Sequence, residues 1–148
     1  MFQWTLCYAP HEKCKKENPK TIAELQALGY ERIPAEVPGN FELDLMREKR
    51  LPDLYFSTDT LEAEKLESMH VWYYACFDMP EKSNAEGILR FEGIDTVADI
   101  YLNGVLRCRT DNMFLPYEIN EGFRQGKNEV VVHIKPACLA ARGYTLPV

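Results

Sequence analysis

Asn103-Gly104 stands between two alternating segments, and no other dipeptide in the chain restricts the fold as strongly. Before it, Ala98, Ile100 and Leu102 alternate with Asp99, Tyr101 and Asn103; after it, Val105 to Arg109 return. Both turn residues tolerate positive φ, so the pattern predicts an antiparallel hairpin closed by two residues. The same period of two governs the chain from residue 70 onward. Val71, Tyr73, Ala75 and Phe77 share one face of a strand, and Trp72, Tyr74 and Cys76 share the other. Both faces are apolar, so this strand is expected to be covered on both sides, with Cys76 a small buried residue. Asp78-Met79-Pro80 ends it. Leu89 and Phe91 alternate with Arg90 and Glu92 in a half-buried strand that stops at Gly93. Gly126-Lys127-Asn128 reads as a turn, after which Val130, Val132 and Ile134 alternate with Val131, His133 and Lys135. On this reading His133 points away from the core, as an exposed or edge histidine. Several such strands without long helices between them predict an all-β antiparallel sandwich.

The first half reads as irregular chain with short helices. Thr21-Ile22-Ala23-Glu24 is a capping-box pattern, in which the Thr hydroxyl and Glu carboxylate meet free amides of a first turn. Ile22, Leu25 and Leu28 then make one apolar face and Gly29 is a natural stop, giving a helix of about two turns. Pro34 and Pro38-Gly39 break the chain. Asn40 can cap a second short helix over residues 41–50, ended by Leu51-Pro52-Asp53. Residues 60–69 are compatible with a helix whose Glu62, Glu64 and Glu67 form a wet face rather than a metal site.

With 148 residues, 46% hydrophobic and 11% aromatic, the chain is long enough for one soluble globular domain burying roughly two-thirds of its unfolded surface. It is too short for a (β/α)8 barrel, which takes about 250 residues. No apolar run approaches the roughly 20 residues of a membrane helix, so no membrane partner is expected. The N-terminus shows no signal-peptide pattern. A net charge of −6, from 17 basic and 23 acidic residues, argues against nucleic acid. Lys13, Lys15 and Lys16 lie beside Glu12 and Glu17 and read as solvated surface. Five cysteines, at 7, 14, 76, 108 and 138, include no Cys-x-x-Cys, so neither zinc nor thioredoxin-like chemistry is indicated. A Cys7–Cys14 bridge remains open. The three histidines, 11, 70 and 133, are scattered. Gly-x-Ser-x-Gly, His-Glu-x-x-His and phosphate-binding Gly-rich loops are absent, as is any Asn-x-Ser/Thr sequon.

An ordered set of segments resembles a known family. It runs Val37-Pro38-Gly39-Asn40, Asp44-Leu45, Leu51-Pro52-Asp53-Leu54-Tyr55, Trp72-Tyr73 to Phe77, and Leu89-Arg90-Phe91-Glu92-Gly93-Ile94-Asp95-Thr96. Val97-Ala98-Asp99-Ile100-Tyr101-Leu102-Asn103-Gly104, Asp111-Asn112-Met113-Phe114 and Gly126-Lys127-Asn128 with the Val130 strand complete it. Together they resemble the N-terminal sugar-binding domain of glycoside hydrolase family 2, most like its β-mannosidase branch. The resemblance implies a jelly-roll β-sandwich of the galactose-binding type. Much of the matching pattern specifies turns and strand ends, and fold alone does not give function.

Retaining glycosidases use two carboxyl groups about 5–5.5 Å apart, one as acid/base and one as nucleophile. In the resembled family both are Glu residues of a separate barrel. The resemblance therefore implies that this chain supplies no catalytic residue and needs no cofactor or metal, and that the barrel and an immunoglobulin-like domain belong to a longer parent. Asp111 with Glu118 is the pair one would weigh within the chain, against the reading of both as ordinary surface acids. The Trp-Asp-Trp-Gly-Pro segment expected of β-mannosidases near the active site is absent, since the sequence stops at Leu146-Pro147-Val148. The implied setting is periplasmic, secreted or lysosomal.

Sugar sites combine an aromatic platform with planar polar groups. Two clusters qualify: Asp53 with Tyr55, and Asp111, Asn112 and Tyr117. Tyr55 and Tyr117 also read as packing residues, Asp111-Asn112 also reads as turn chemistry, and Met113-Phe114 reads as core. The expected partner is carbohydrate, a β-linked glycoside. Rival expectations are a self-sufficient carbohydrate-binding module and a structural interaction domain without a ligand. An open sheet edge at the end of the chain would favour a homodimer.

Overall fold

The computed structural model describes residues 2–56, 58–80 and 87–141. Among these residues eight strands and four short helices follow in the order β1 (Trp4–Pro10), α1 (His11–Cys14), α2 (Ile22–Leu28), β2 (Glu31–Ala35), α3 (Phe41–Arg47), β3 (Met69–Met79), β4 (Leu89–Phe91), β5 (Ala98–Leu102), β6 (Val105–Thr110), β7 (Tyr117–Ile119), β8 (Gly126–Ile134) and α4 (Ala137–Ala140). A 3₁₀ segment, Asp59–Leu66, precedes β3. Six strands make one antiparallel sheet in the order β2-β1-β3-β8-β5-β6, and β4 pairs with β7 in a second. No helix among the described residues is long and apolar enough to cross a membrane.

The antiparallel sandwich expected from the alternation is present. Leu6, Ile33, Val71, Tyr73, Ala75, Ala98, Ile100, Leu102, Val130 and Val132 form the inner face of the large sheet. Leu89, Phe91 and Ile119 from the small sheet and Leu45 from α3 close over it. The hairpin turn is as expected: Asn103 and Gly104 both have positive φ, at 53° and 78°. Asn103 also ties the hairpin to β8, its amide group donating to Asn128 Oδ1 and its Oδ1 accepting from the Glu129 amide.

The outer face of the large sheet carries a second core. Cys7, Ala9, Trp72, Tyr74, Tyr101 and Val131 are covered by Cys14 of α1 and Leu25 of α2. The capping box of α2 forms, with Thr21 Oγ1 accepting from the Glu24 amide and Glu24 Oε2 accepting from the Thr21 amide. Glu129 Oε2 accepts from the Ile22 amide, anchoring the helix to the sheet. In α3, Asn40 Oδ1 accepts from the Leu43 amide, as a cap does.

Several readings need correction. Residues 4–10 and 31–35 are strands, not irregular chain. β1 is apolar on both faces because both are covered, which hides its period of two. β2 contains Pro34 and survives because it lies at the sheet edge, where a missing N–H is tolerated. Residues 59–66 are helical as expected, in 3₁₀ form, but Met69 already belongs to β3. Cys76 is exposed: β1 pairs with β3 only as far as Tyr74, and α1 and α2 cover only that stretch. His133 is 4% exposed, because β8 lies between β3 and β5 under the helical cover. Residues 126–128 open β8 rather than forming a turn. The Asn128 side chain, bonded to Arg124 and to the Gly126 carbonyl, orders the preceding loop instead. Met113 and Phe114 are exposed, at 40% and 83%, not core. All five cysteines are free thiols. Burial pushes the Cys7 thiol up to about 12.

Candidate functional site

The loop between β6 and β7 is built around one hydroxyl. Tyr117 Oη accepts from the Asp111 amide at 3.3 Å and the Asn112 amide at 3.2 Å, and donates to the Asn112 carbonyl at 3.2 Å. Asn112 Oδ1 accepts from the Phe114 amide at 2.9 Å, an Asx turn. The loop is pressed from below by Gly93, where a Cβ would come within 2.7 Å of the Met113 carbonyl oxygen. This excludes a side chain at position 93, two residues past β4.

Asp111, Asn112 and Tyr117 are therefore brought together, in different roles. Tyr117 spends its hydroxyl on the backbone and positions the loop. The Asp111 carboxylate and the Asn112 amide nitrogen face outward, with no side-chain partner among the described residues. The Phe114 side chain, two residues after Asn112, is exposed to solvent. The alternation pattern hid this ring, which followed Met113 like a core pair; its neighbours Asp111-Asn112, a turn opener, were the available signal. The grouping supplies an apolar ring and planar polar groups, the two elements that meet the faces and hydroxyls of a sugar.

Asp53 and Tyr55 form a separate, local pair. Asp53 Oδ1 accepts from the Tyr55 amide at 3.0 Å, again an Asx turn, and the Tyr55 ring is 82% exposed. No hydrogen bond or ring contact among the described residues joins this pair to residues 111–117.

Asp111 also lines a cleft of about 320 Å³, with Val97, Ala98, Asp99, Arg109, Thr110 and Lys135. Asp99 is 7% exposed and its charge is met by Lys135 Nζ at 2.8 Å and Arg109 Nε at 3.4 Å. Thr110 seals the floor, accepting from the Ala98 amide and donating to the Thr96 carbonyl. Glu118 is engaged elsewhere: Arg90 Nη1 donates to it at 2.6 Å across the small sheet, and Arg90 also binds Glu92. Both carboxylates hold Arg90 above its ordinary value, Glu92 more than Glu118. Glu118 is thus an ordinary surface ion-pair partner. No group of three or more His, Cys, Asp or Glu among the described residues is placed to hold a metal ion.

Comparison with known proteins adds a family. Residues 13–145 match the model described as the glycosyl hydrolase 2 galactose-binding domain-like family. β-Mannosidase B of Thermothelomyces thermophilus is 30% identical over 108 residues, covering 71% of this chain and 13% of that protein. The β-mannosidase of Capra hircus is 34% identical over 96 residues, covering 62% and 11%. Among solved structures, the β-D-mannosidase of Dictyoglomus thermophilum superposes with a TM-score of 0.71 at 27% identity, covering 96% of this chain and 16% of that one. The Ruminococcus gnavus β-glucuronidase superposes with a TM-score of 0.62 at 23% identity, over 90% and 20%. The chain thus spans about an eighth or less of the curated relatives compared.

Proposed function

The chain belongs to the galactose-binding-like domain family of glycosyl hydrolase 2, and from that premise we propose that it is the noncatalytic sugar-binding and support domain of a retaining β-glycosidase of β-mannosidase type. The observation that carries the reading is the outward-facing group of Asp111, Asn112 and Phe114 on a loop that Tyr117 makes rigid. A preorganised ring and two planar polar groups are what a domain at a substrate entrance needs to hold a sugar with little ordering cost. Asp53 and Tyr55 form a second, weaker contact point of the same kind.

In this reading the chemistry is divided between domains. Protonation of the leaving oxygen and attack at the anomeric carbon need two carboxyl groups about 5–5.5 Å apart. The parent's barrel supplies both, and this chain supplies none. Three of its acids are held in ion pairs: Asp99 by Lys135 and Arg109, Glu118 by Arg90, and Asp44 by Arg47. The domain needs no organic cofactor or metal for its part. What it contributes is binding energy and shape at the entrance, with the immunoglobulin-like and barrel domains as its covalent partners and a β-linked mannoside as preferred ligand.

A self-sufficient carbohydrate-binding module is the second reading, favoured by the exposure of Phe114. Chemical-shift titration of the ¹⁵N-labelled chain with methyl β-mannoside tests what the two readings share. Shifts at residues 111–117 that saturate in the millimolar range or below support direct sugar contact by this loop, whereas no shifts at any residue would reject both sugar-binding readings and leave a purely structural domain.

A further inference from the structure

The sandwich brings together three histidines that the sequence keeps 59 and 63 residues apart. His11 Nδ1 lies 3.0 Å from His70 Nε2, and His70 Nδ1 lies 2.8 Å from His133 Nε2. They run from the half-exposed α1 to the buried centre of the sheet, where His133 stacks on Trp72 with ring centroids 4.6 Å apart. His70 stacks on both His11 and Trp72. The chain meets no group of the sugar loop and plays no part in the reading above.

Hydrogen counting shows what such a chain can hold. Two N···N contacts need two hydrogens, and three neutral imidazoles carry three. The third sits at an outer nitrogen, and the half-exposed His11 Nε2 is the one that water can reach. A fourth hydrogen has one remaining place, His133 Nδ1, which is buried without a hydrogen-bond partner among the described residues. An added proton must therefore create an unpaired buried N–H or break a contact, and a buried unpaired donor is the costly alternative. Of the two contacts, His11–His70 is the weaker link. His133 is paired on both sides, with Trp72 and Asp99, and His70 is paired with Ala9 of β1, whereas α1 has four residues, anchored by Cys14 and one backbone bond from the His11 amide to the Ser68 carbonyl.

We propose that His11, His70 and His133 form an acid-sensitive latch, in which uptake of one proton breaks the His11–His70 contact and releases α1 from the sheet. Release uncovers Cys14 and one side of the Trp72 ring. The surrounding groups favour this outcome. Lys135, cross-strand from His70 beyond the end of the ladder, and His11 on α1 both oppose charge on His70. Two carboxylates face the set: Glu12 on α1, which interacts with His11 and is paired with Lys15, and Asp99 on β5, paired directly with His133 and engaged by Lys135 and by Arg109 of β6. From β1 and the turn before β2 the neighbours are Cys7, Cys14 of α1 and Tyr30, all protonated at neutral pH because burial raises each. Burial first and these charges second hold His70 at about 4 and His133 at about 3, so the latched state resists protons that the released state accepts.

Hydrogen–deuterium exchange of the 148-residue chain, corrected for intrinsic rates, reads the latch at the hydrogen-bonded amides of His11 and Glu17. Between about pH 7 and about pH 4.5 their protection is expected to fall about tenfold or more while residues 71–75 and 130–133 keep theirs. His70→Gln keeps a donor and an acceptor but cannot take the proton, and should flatten that fall to less than about threefold. His11→Gln, at the half-exposed end, does the same and carries the test if His70→Gln does not fold. Unchanged protection in the wild type, loss across all strands together, or an equal fall in the variants would each overturn the latch.

Discussion

Tyr117 and Phe114 sit three residues apart and do opposite work. The Tyr117 hydroxyl makes three bonds to the loop backbone, so Tyr117→Phe is expected to cost about 1 kcal/mol, the net value of such bonds at a partly exposed site. Chemical denaturation measures this, and the same variant should broaden the amide signals of residues 111–114. Phe114 contacts solvent over most of its surface, so Phe114→Ala should leave stability within about 0.5 kcal/mol and weaken mannoside binding. A drop of more than 2 kcal/mol would mean the ring is packed, as the sequence suggested (about 2–5 kcal/mol is usual for a buried large-to-small change). That difference could not be read from the chain. Asp111-Asn112 announces a turn, but whether the two apolar residues after it point in or out depends on how the neighbouring turn at Gly93 passes underneath.

Elements were legible where a local rule decides them and obscure where the third dimension does. The Thr21–Glu24 capping box and the Asn103-Gly104 turn are dictated by hydrogen-bonding groups within four residues, and both form as read. β1 and β2 are made by their neighbours: one is covered on both faces, the other is an edge strand with a proline. The capping box also reaches beyond its own helix, because α2 is part of the cover over the outer face. Thr21→Ala should therefore destabilise the chain by about 1 kcal/mol, a usual value for a lost N-cap, as read by thermal denaturation. Gly104→Ala should cost more than a simple propensity change, since φ is 78° and a Cβ would sit 3.0 Å from Thr21 Cγ2.

At the scale of the molecule, one sheet carries two unlike faces. Its inner face is an aliphatic core that the alternation foretold. Its outer face holds a row running Arg109, Asp99, His133, Trp72, Cys7 and Arg32 across five ladders, which only the strand order could assemble. His133 and Cys7 of that row, with His70 beside it, set the response to pH. His70 and His133 titrate at about 4 and about 3 when folded, below the 6.5 of the free side chain. The unfolded chain then binds more protons on the acid side, so stability falls as pH drops below about 6.5. Cys7 titrates at about 12 when folded against 9.0 when free, so the folded chain holds more protons above pH 9 and stability falls again. Denaturation across pH should give a plateau between these limits. The division of labour with a catalytic barrel is the central proposal. Its most direct test is release of nitrophenol from p-nitrophenyl β-D-mannoside by the purified 148-residue chain. The account predicts no release above buffer; turnover that disappears when an acid of this chain, such as Asp111, is changed to its amide would contradict it.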